Sequence, residues 1–87
     1  GKASLAPSGE KLLLESPVSV GAPACGKAIQ ELAWPGRSLV VSIKRHGEEL
    51  LPHGGTVLEA GDVVVLLCDQ QELSQVHAAL EHQCKGN

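Results

Sequence analysis

Six consecutive apolar residues, Val63-Val64-Val65-Leu66-Leu67-Cys68, lie between Asp62 and Asp69 near the end of this chain. The run is apolar without a period of two, which predicts a strand over Asp62 to Cys68 that is central in its sheet and covered on both faces. At 87 residues the chain has room for one modest core built around such a strand. That core has to be aliphatic, because Phe, Tyr and Met are missing and Trp34 is the single aromatic residue. No apolar stretch approaches the length of about 18 residues that a membrane helix needs.

The flanking segments supply the rest of a small domain. Glu10 to Ser16 predicts a strand stopped by Pro17. Cys25, Ala28, Ile29 and Leu32 recur at helical spacing, predicting a helix over Cys25 to Ala33 that Pro35-Gly36 ends. Ser38 to Arg45 alternates, with Leu39, Val41 and Ile43 on one face and Val40, Ser42 and Lys44 on the other. His46-Gly47 is a two-residue turn signal, and Glu48 to Leu51 returns as the partner strand. After the central strand, Asp69 reads as a helix N-cap, with Glu72 completing a capping box. Leu73, Val76, Leu80 and Cys84 form the apolar stripe of that helix, with Gln71, Gln75 and His82 toward water. The order is β-α-β-β-β-α, an α+β domain whose small, mostly antiparallel sheet is covered by two helices.

Residues 1–9 read as a frayed leader, 10–84 as the domain and 85–87 as a tail. With no initiating Met and Gly1-Lys2-Ala3 at its start, the chain reads as a piece of a longer protein.

Composition narrows the chemistry. A net charge of −3 with one aromatic residue gives neither the basic face nor the stacking platform of a nucleic-acid binder. The three cysteines, Cys25, Cys68 and Cys84, are odd in number and contain no C-x-x-C pair, so neither a disulfide framework nor a zinc site is indicated. They fall on apolar stripes or at the end of a buried strand, where a thiol acts as a small hydrophobe. His46, His53, His77 and His82 carry no metal-ligand spacing. Gly54-Gly55 and Gly61 lead into a strand and lack the Lys-Ser/Thr of a phosphate loop. Glu59-Ala60-Gly61-Asp62 reads as a turn in which Asp62 accepts backbone N–H bonds, rather than as an acidic catalytic pair. Arg37, Lys44 and Arg45 are either solvated strand-end charges or an anion-binding rim. No catalytic residue and no metal ligand emerges, so the chain is expected not to be an enzyme.

Taken together, Val18-x-x-Gly21, Cys25-Gly26-Lys27-Ala28-Ile29-x-Glu31-Leu32, Leu39 to Arg45, and Pro52 followed by Thr56 to Val65 resemble the TrkA-C, or C-terminal RCK, domain. The likeness covers about residues 10–82. It implies the β-α-β-β-β-α fold and a regulatory module on the cytoplasmic face of the membrane, attached to an ion channel or transporter and working as a homodimer. The expected partners are therefore a second copy and the membrane-embedded part of the parent, with no nucleic acid and no insertion of this segment into the bilayer. No cofactor is identified; the resemblance implies a small anionic ligand, such as a cyclic dinucleotide, at the dimer interface. It places ligand contacts at Pro35, Gly36, Arg37, Ser38 and Val40, entering and starting the second strand, and at Pro52 and His53. Leu32-Ala33-Trp34-Pro35 with Leu39 to Ile43 is similar to TrkA-C tails of some bacterial CLC-type chloride channel proteins, so chloride and potassium transport are both implied. The rival expectation is a structural dimerisation module that holds a transporter together without sensing a ligand.

Overall fold

In the computed structural model, which describes residues 10–87, four antiparallel strands form one sheet. They are β1 (Lys11–Pro17), β2 (Ser38–Arg45), β3 (Glu48–Leu50) and β4 (Val63–Asp69), in spatial order β1-β4-β2-β3. The expected leader at residues 1–9 lies outside the described residues. A 13-residue helix, α1 (Leu73–Lys85), crosses one face of the sheet. The α+β class and the antiparallel sheet are those expected, and the apolar run is indeed the central strand, paired with β1 on one side and β2 on the other.

The core lies between that sheet face and α1. Leu12, Leu14 and Ser16 stand opposite Cys68, Leu66 and Val64 on one side of β4, while Val40 and Ile43 stand opposite Leu66 and Val64 on the other. Val76, Leu80 and Cys84 close over them with Val18, Ala24 and Leu58. Each large aliphatic side chain buried this way contributes roughly 1.5–3 kcal/mol. The helix stripe begins at Val76, since Leu73 is exposed. Gly86 ends the helix at φ 78°, its N–H donating to the carbonyls of Glu81 and His82. The Ser19 and Ala24 amides take the neighbouring carbonyls of Cys84 and Gln83 at 2.8 Å each, so the loop after β1 caps the helix.

Three local expectations are corrected. The helix over Cys25 to Ala33 is a single 3-10 turn, Ile29–Glu31, so one helix rather than two covers the sheet. Gly26 sits at φ 86°, and Ala28 is extended and bridges Val57, so backbone pairing to the 54–58 segment displaces helix hydrogen bonds. The apolar spacing was nonetheless a correct guide to burial, because Ala28 is buried and Cys25, Ile29 and Leu32 pack on the core. The alternation in β2 is broken by a register shift between Val40 and Ser42, which sends Val40 and Ile43 to the same face and leaves Leu39 62% exposed. Finally, Asp69 does not cap α1. Its buried carboxylate binds Lys11 at 2.7 Å, Arg37 lies 3.6 Å away, and a 3-10 turn, Gln70–Glu72, precedes the helix. Cross-strand cations take a carboxylate whose spacing read as a cap.

The central strand is also not covered on both faces. Opposite α1, Leu67 lies between Leu13, 61% exposed, and Leu39.

The hairpin and the Glu59–Asp62 turn match their reading. His46 and Gly47 have φ 52° and 80°, the two positive values that match the twist of the flanking strands. In the second turn, Asp62 Oδ2 accepts the Glu59 N–H at 2.8 Å and Gly61 takes φ 92°. What the turn residues could not reveal is their partner. Arg45 donates through Nε to Asp62 Oδ1 and through a terminal nitrogen to Asp62 Oδ2, each at 2.8 Å.

Candidate functional site

Two irregular segments are zipped together beside β2. The amides of Gly26, Ile29 and Gln30 donate to the carbonyls of Leu58, Thr56 and Gly54, and Leu58 donates back to Lys27, all at 2.8–2.9 Å. Irregular backbone needs such pairing to be buried, and here it makes a rigid wall. Between this wall and the start of β2 lies a cavity of about 280 Å³. Its lining is apolar on most sides, from Ile29, Trp34, Leu39 and Val40, with Ser38, Pro52, His53 and Gly54 completing it.

Four of the seven residues singled out in the sequence, Ser38, Val40, Pro52 and His53, line this one cavity. Pro35, Gly36 and Arg37 do not. Pro35 supplies the carbonyl that accepts the Ser38 hydroxyl at 3.1 Å. Gly36, at φ 63°, packs so closely on the Glu72 carboxylate that any Cβ would overlap it, and the same carboxylate accepts the Arg37 N–H. Arg37 belongs to an adjacent hollow of about 290 Å³, bordered by Lys11, Leu39, Leu67 and Asp69. Ser38 and Leu39 line both spaces.

The polar groups of the cavity are few and defined. His53 Nδ1 accepts the Gly55 N–H at 3.0 Å, so the neutral ring carries its proton on Nε2 and offers a donor. The His53 amide donates to Thr56 Oγ1 at 3.0 Å, holding the Pro52–Gly55 turn. Ser38 already donates its hydroxyl hydrogen, which leaves its oxygen as an acceptor. The indole N–H of Trp34 is buried and has no hydrogen-bond partner among the described residues. A buried orphan donor costs about 1–3 kcal/mol.

The basic trio does not converge. Arg45 is committed to Asp62, with Glu59 at 3.3 Å and the Val57 carbonyl at 2.9 Å. Lys44 pairs with Glu15 at 3.2 Å across the sheet. Arg37 alone borders the site, and it is 82% exposed. Burial pushes the Asp62 carboxyl up, but the Arg45 hydrogen bonds and charge and the Glu59 N–H outweigh it and hold the group below its ordinary range. Lys11, against the cost of burial, holds Asp69 down in the same way. Burial raises the thiols of Cys68 and Cys84. Among the described residues no group of three His, Cys, Asp or Glu side chains is placed to hold a metal ion, and no helix is long and apolar enough to cross a membrane.

Sequence reading missed Trp34, Ile29, Leu39 and Gly54 as cavity residues. Trp34 carried a usable signal, since a single aromatic in an aliphatic chain rarely lacks a packing role.

The TrkA-C domain model matches residues 13–81. The chain belongs to the TrkA-C family. This TrkA-C domain is also 37% identical over 70 residues to a Trk system potassium uptake protein TrkA homolog of Archaeoglobus fulgidus, covering 79% of the chain. It spans 16% of that relative's length. Its fold is similar to the RCK_C domain dimer of S. agalactiae BusR in complex with c-di-AMP, with a TM-score of 0.66 at 23% identity, covering 86% of this chain and 91% of that one. It is similar also to S. agalactiae BusR in complex with its busA-promotor DNA, with a TM-score of 0.70 at 22% identity, covering 99% of this chain and 43% of that one. The fold thus occurs inside a protein solved with DNA. The exclusion of nucleic acid drawn from this chain's charge therefore does not extend to a parent protein.

Proposed function

We propose that this TrkA-C domain is a non-enzymatic regulatory module of a membrane ion-transport protein, working as a homodimer on the cytoplasmic face and sensing a small anionic ligand. One observation carries the ligand site: Ser38, Val40, Pro52 and His53, chosen by family likeness, line a single apolar cavity. At about 280 Å³ it lies just under the usual range of about 300–1,000 Å³ for ligand pockets, as befits half of a site that two copies complete. A flat base fits against Trp34 and Val40, with His53 Nε2–H as a donor. Arg37 reaches the phosphates. Arg37 is 82% exposed and lies 3.6 Å from Asp69, which keeps Lys11 at 2.7 Å when Arg37 turns to a phosphate, and the new charge-assisted bonds are stronger.

The BusR relative solved with c-di-AMP supports a cyclic dinucleotide as the ligand class. The Trk relative supports potassium uptake as the process regulated; the chloride alternative rests on the Leu32–Pro35 likeness. Binding shifts the transporter only through a difference in ligand affinity between two mutual orientations of the domains. Calorimetry of the wild-type chain against cyclic di-AMP tests this. Saturable binding that His53→Ala and Arg37→Ala both weaken is expected. Absence of heat with every cyclic dinucleotide, from a dimeric chain, would leave the structural dimerisation role instead.

A further inference from the structure

The loop that enters β2 is folded around a carboxylate. Ser38 donates its hydroxyl to the Pro35 carbonyl at 3.1 Å, across a bend in which Gly36 takes φ 63° and the Arg37 N–H donates to Glu72. Because Gly36 has no side chain, the Glu72 carboxyl group rests on its Cα, in the space a Cβ would take. A concave turn of backbone with an N–H directed into it is a form of chain that holds anions. Two carboxylates thus flank Arg37, and they are held differently. Asp69 is buried and bound to Lys11 at 2.7 Å. Glu72 is half-buried, has no cation within salt-bridge distance among the described residues, and takes its hydrogen bond from the Arg37 amide. Asp69 is fixed by a charge, whereas Glu72 rests on one N–H and can exchange.

We infer that Glu72 is a built-in competitor of the anionic ligand: its carboxylate occupies the Gly36–Arg37 backbone cradle, and a ligand phosphate binds there by displacing it. The inference rests on the ligand-sensing reading above and adds the group that the ligand must dislodge. Cradle and apolar cavity adjoin, because Ser38 and Leu39 line both that cavity and the hollow beside Arg37. A phosphate and a carboxylate cannot share one N–H, and like charges so close repel. A free anion in solution merely trades one anion for another, against a competitor that the chain itself keeps at high effective concentration. A ligand that also fills the cavity brings the further binding energy that the exchange needs. Glu72 therefore makes the site selective for a phosphate carried on an apolar or aromatic body. The exchange has a mechanical consequence as well. Glu72 ends the 3-10 turn Gln70–Glu72 and directly precedes α1, so its contact with Gly36 and Arg37 ties the entry of β2 to the start of the helix. Ligand binding cuts that tie, and a chain in which the tie is already cut binds the ligand more tightly.

Calorimetry of the full chain against cyclic di-AMP, and amide NMR of the isotope-labelled chain titrated with inorganic phosphate, test the competitor. Glu72→Ala binds cyclic di-AMP about tenfold tighter than the wild type or better, the worth of one hydrogen bond to a charged group. Glu72→Gln lies between the two, because its amide oxygen still accepts the Arg37 N–H but carries no charge. Glu48→Gln removes the same unit of charge at the exposed hairpin and leaves the affinity unchanged. Millimolar phosphate shifts the Gly36 and Arg37 amide signals of Glu72→Ala and leaves those of the wild type in place. A Glu72→Ala chain that keeps the wild-type circular dichroism spectrum and binds cyclic di-AMP no more tightly than the wild type overturns the inference; Glu72 then only shapes the loop. Should Glu72→Ala lose that spectrum, Glu72→Gln decides, and an affinity equal to or below that of the wild type overturns it. If every chain is silent toward cyclic di-AMP, the ligand reading above fails and the phosphate titration decides. A shift confined to Glu72→Ala then upholds the competitor, and an equal response, or none, in both chains overturns it.

Discussion

Replacing Arg45 by Met should be the most damaging single change near the Glu59–Asp62 turn. Asp62 is 1% exposed. Its two oxygens accept Arg45 at 2.8 Å each, and Oδ2 also accepts the Glu59 N–H. Met keeps the bulk of the arginine stem but leaves the carboxylate buried beside one amide. At an effective dielectric of about 20, a pair some 4 Å apart attracts by about 4 kcal/mol. Breaking such a buried pair from one side costs about 3–5 kcal/mol by measurement on other proteins. For a domain of this size that is a fall in Tm of roughly 12 °C or more, and a large part of a total stability of about 5–15 kcal/mol. Asp62→Asn should cost clearly less. Arg45 retains the Val57 carbonyl and, with its side chain 21% exposed, water.

The pH dependence has a definite sign. In the wild type the folded Asp62 titrates below its unfolded value. Its stabilisation is therefore present above about pH 3.9 and lost as pH falls through the folded value. In Arg45→Met burial, the largest influence on this carboxyl, is opposed only by the Glu59 amide and the charge of His46, so the folded carboxyl should titrate above its unfolded value and the variant should gain from acid. The gap between wild type and variant is widest at neutral pH and narrows toward pH 4. Urea denaturation at fixed protein concentration across that range measures it. A cost under about 1 kcal/mol at neutral pH, or a gap that does not narrow in acid, would refute the reasoning.

Gly36→Ala should lower the urea midpoint, through a left-handed backbone and overlap with the Glu72 carboxylate; adding Glu72→Ala should recover part of the loss. Leu80→Ala, at a position 2% exposed between α1 and the sheet, should cost about 2–5 kcal/mol in the same assay. Alkylation of the native chain near neutral pH should modify Cys25 first, because burial shields Cys68 and Cys84 and raises their thiols. All three should react at similar rates in urea, as peptide mass analysis would show.

Local chemistry made several elements legible. The two-residue His46-Gly47 turn, the apolar Val63–Cys68 strand and the Val76–Leu80–Cys84 stripe each follow from rules that act within a few residues. The Gly61-Asp62 turn is legible for the same reason. The seven site residues came from likeness to a family rather than from pattern. Only four of them meet in one cavity, and Ile29 joins them from a segment whose helical spacing pointed to burial but not to shape.

By itself, then, the sequence determined which residues turn, which strand is central and most of the apolar stripe that the last helix buries. Glycine angles, proline stops and apolar periodicity are properties of short segments. The tertiary structure decided what pairs with what. It turned the predicted first helix into a single 3-10 turn, because the 54–58 backbone offered those amides other partners. It took Asp69 from the helix end for Lys11 and Arg37, and Arg45 from any ligand for Asp62. It also left Leu13, Leu67 and Leu39 in a row facing away from the helix. Each is a competition between partners distant in the chain, settled by strand register and by the one-residue shift in β2.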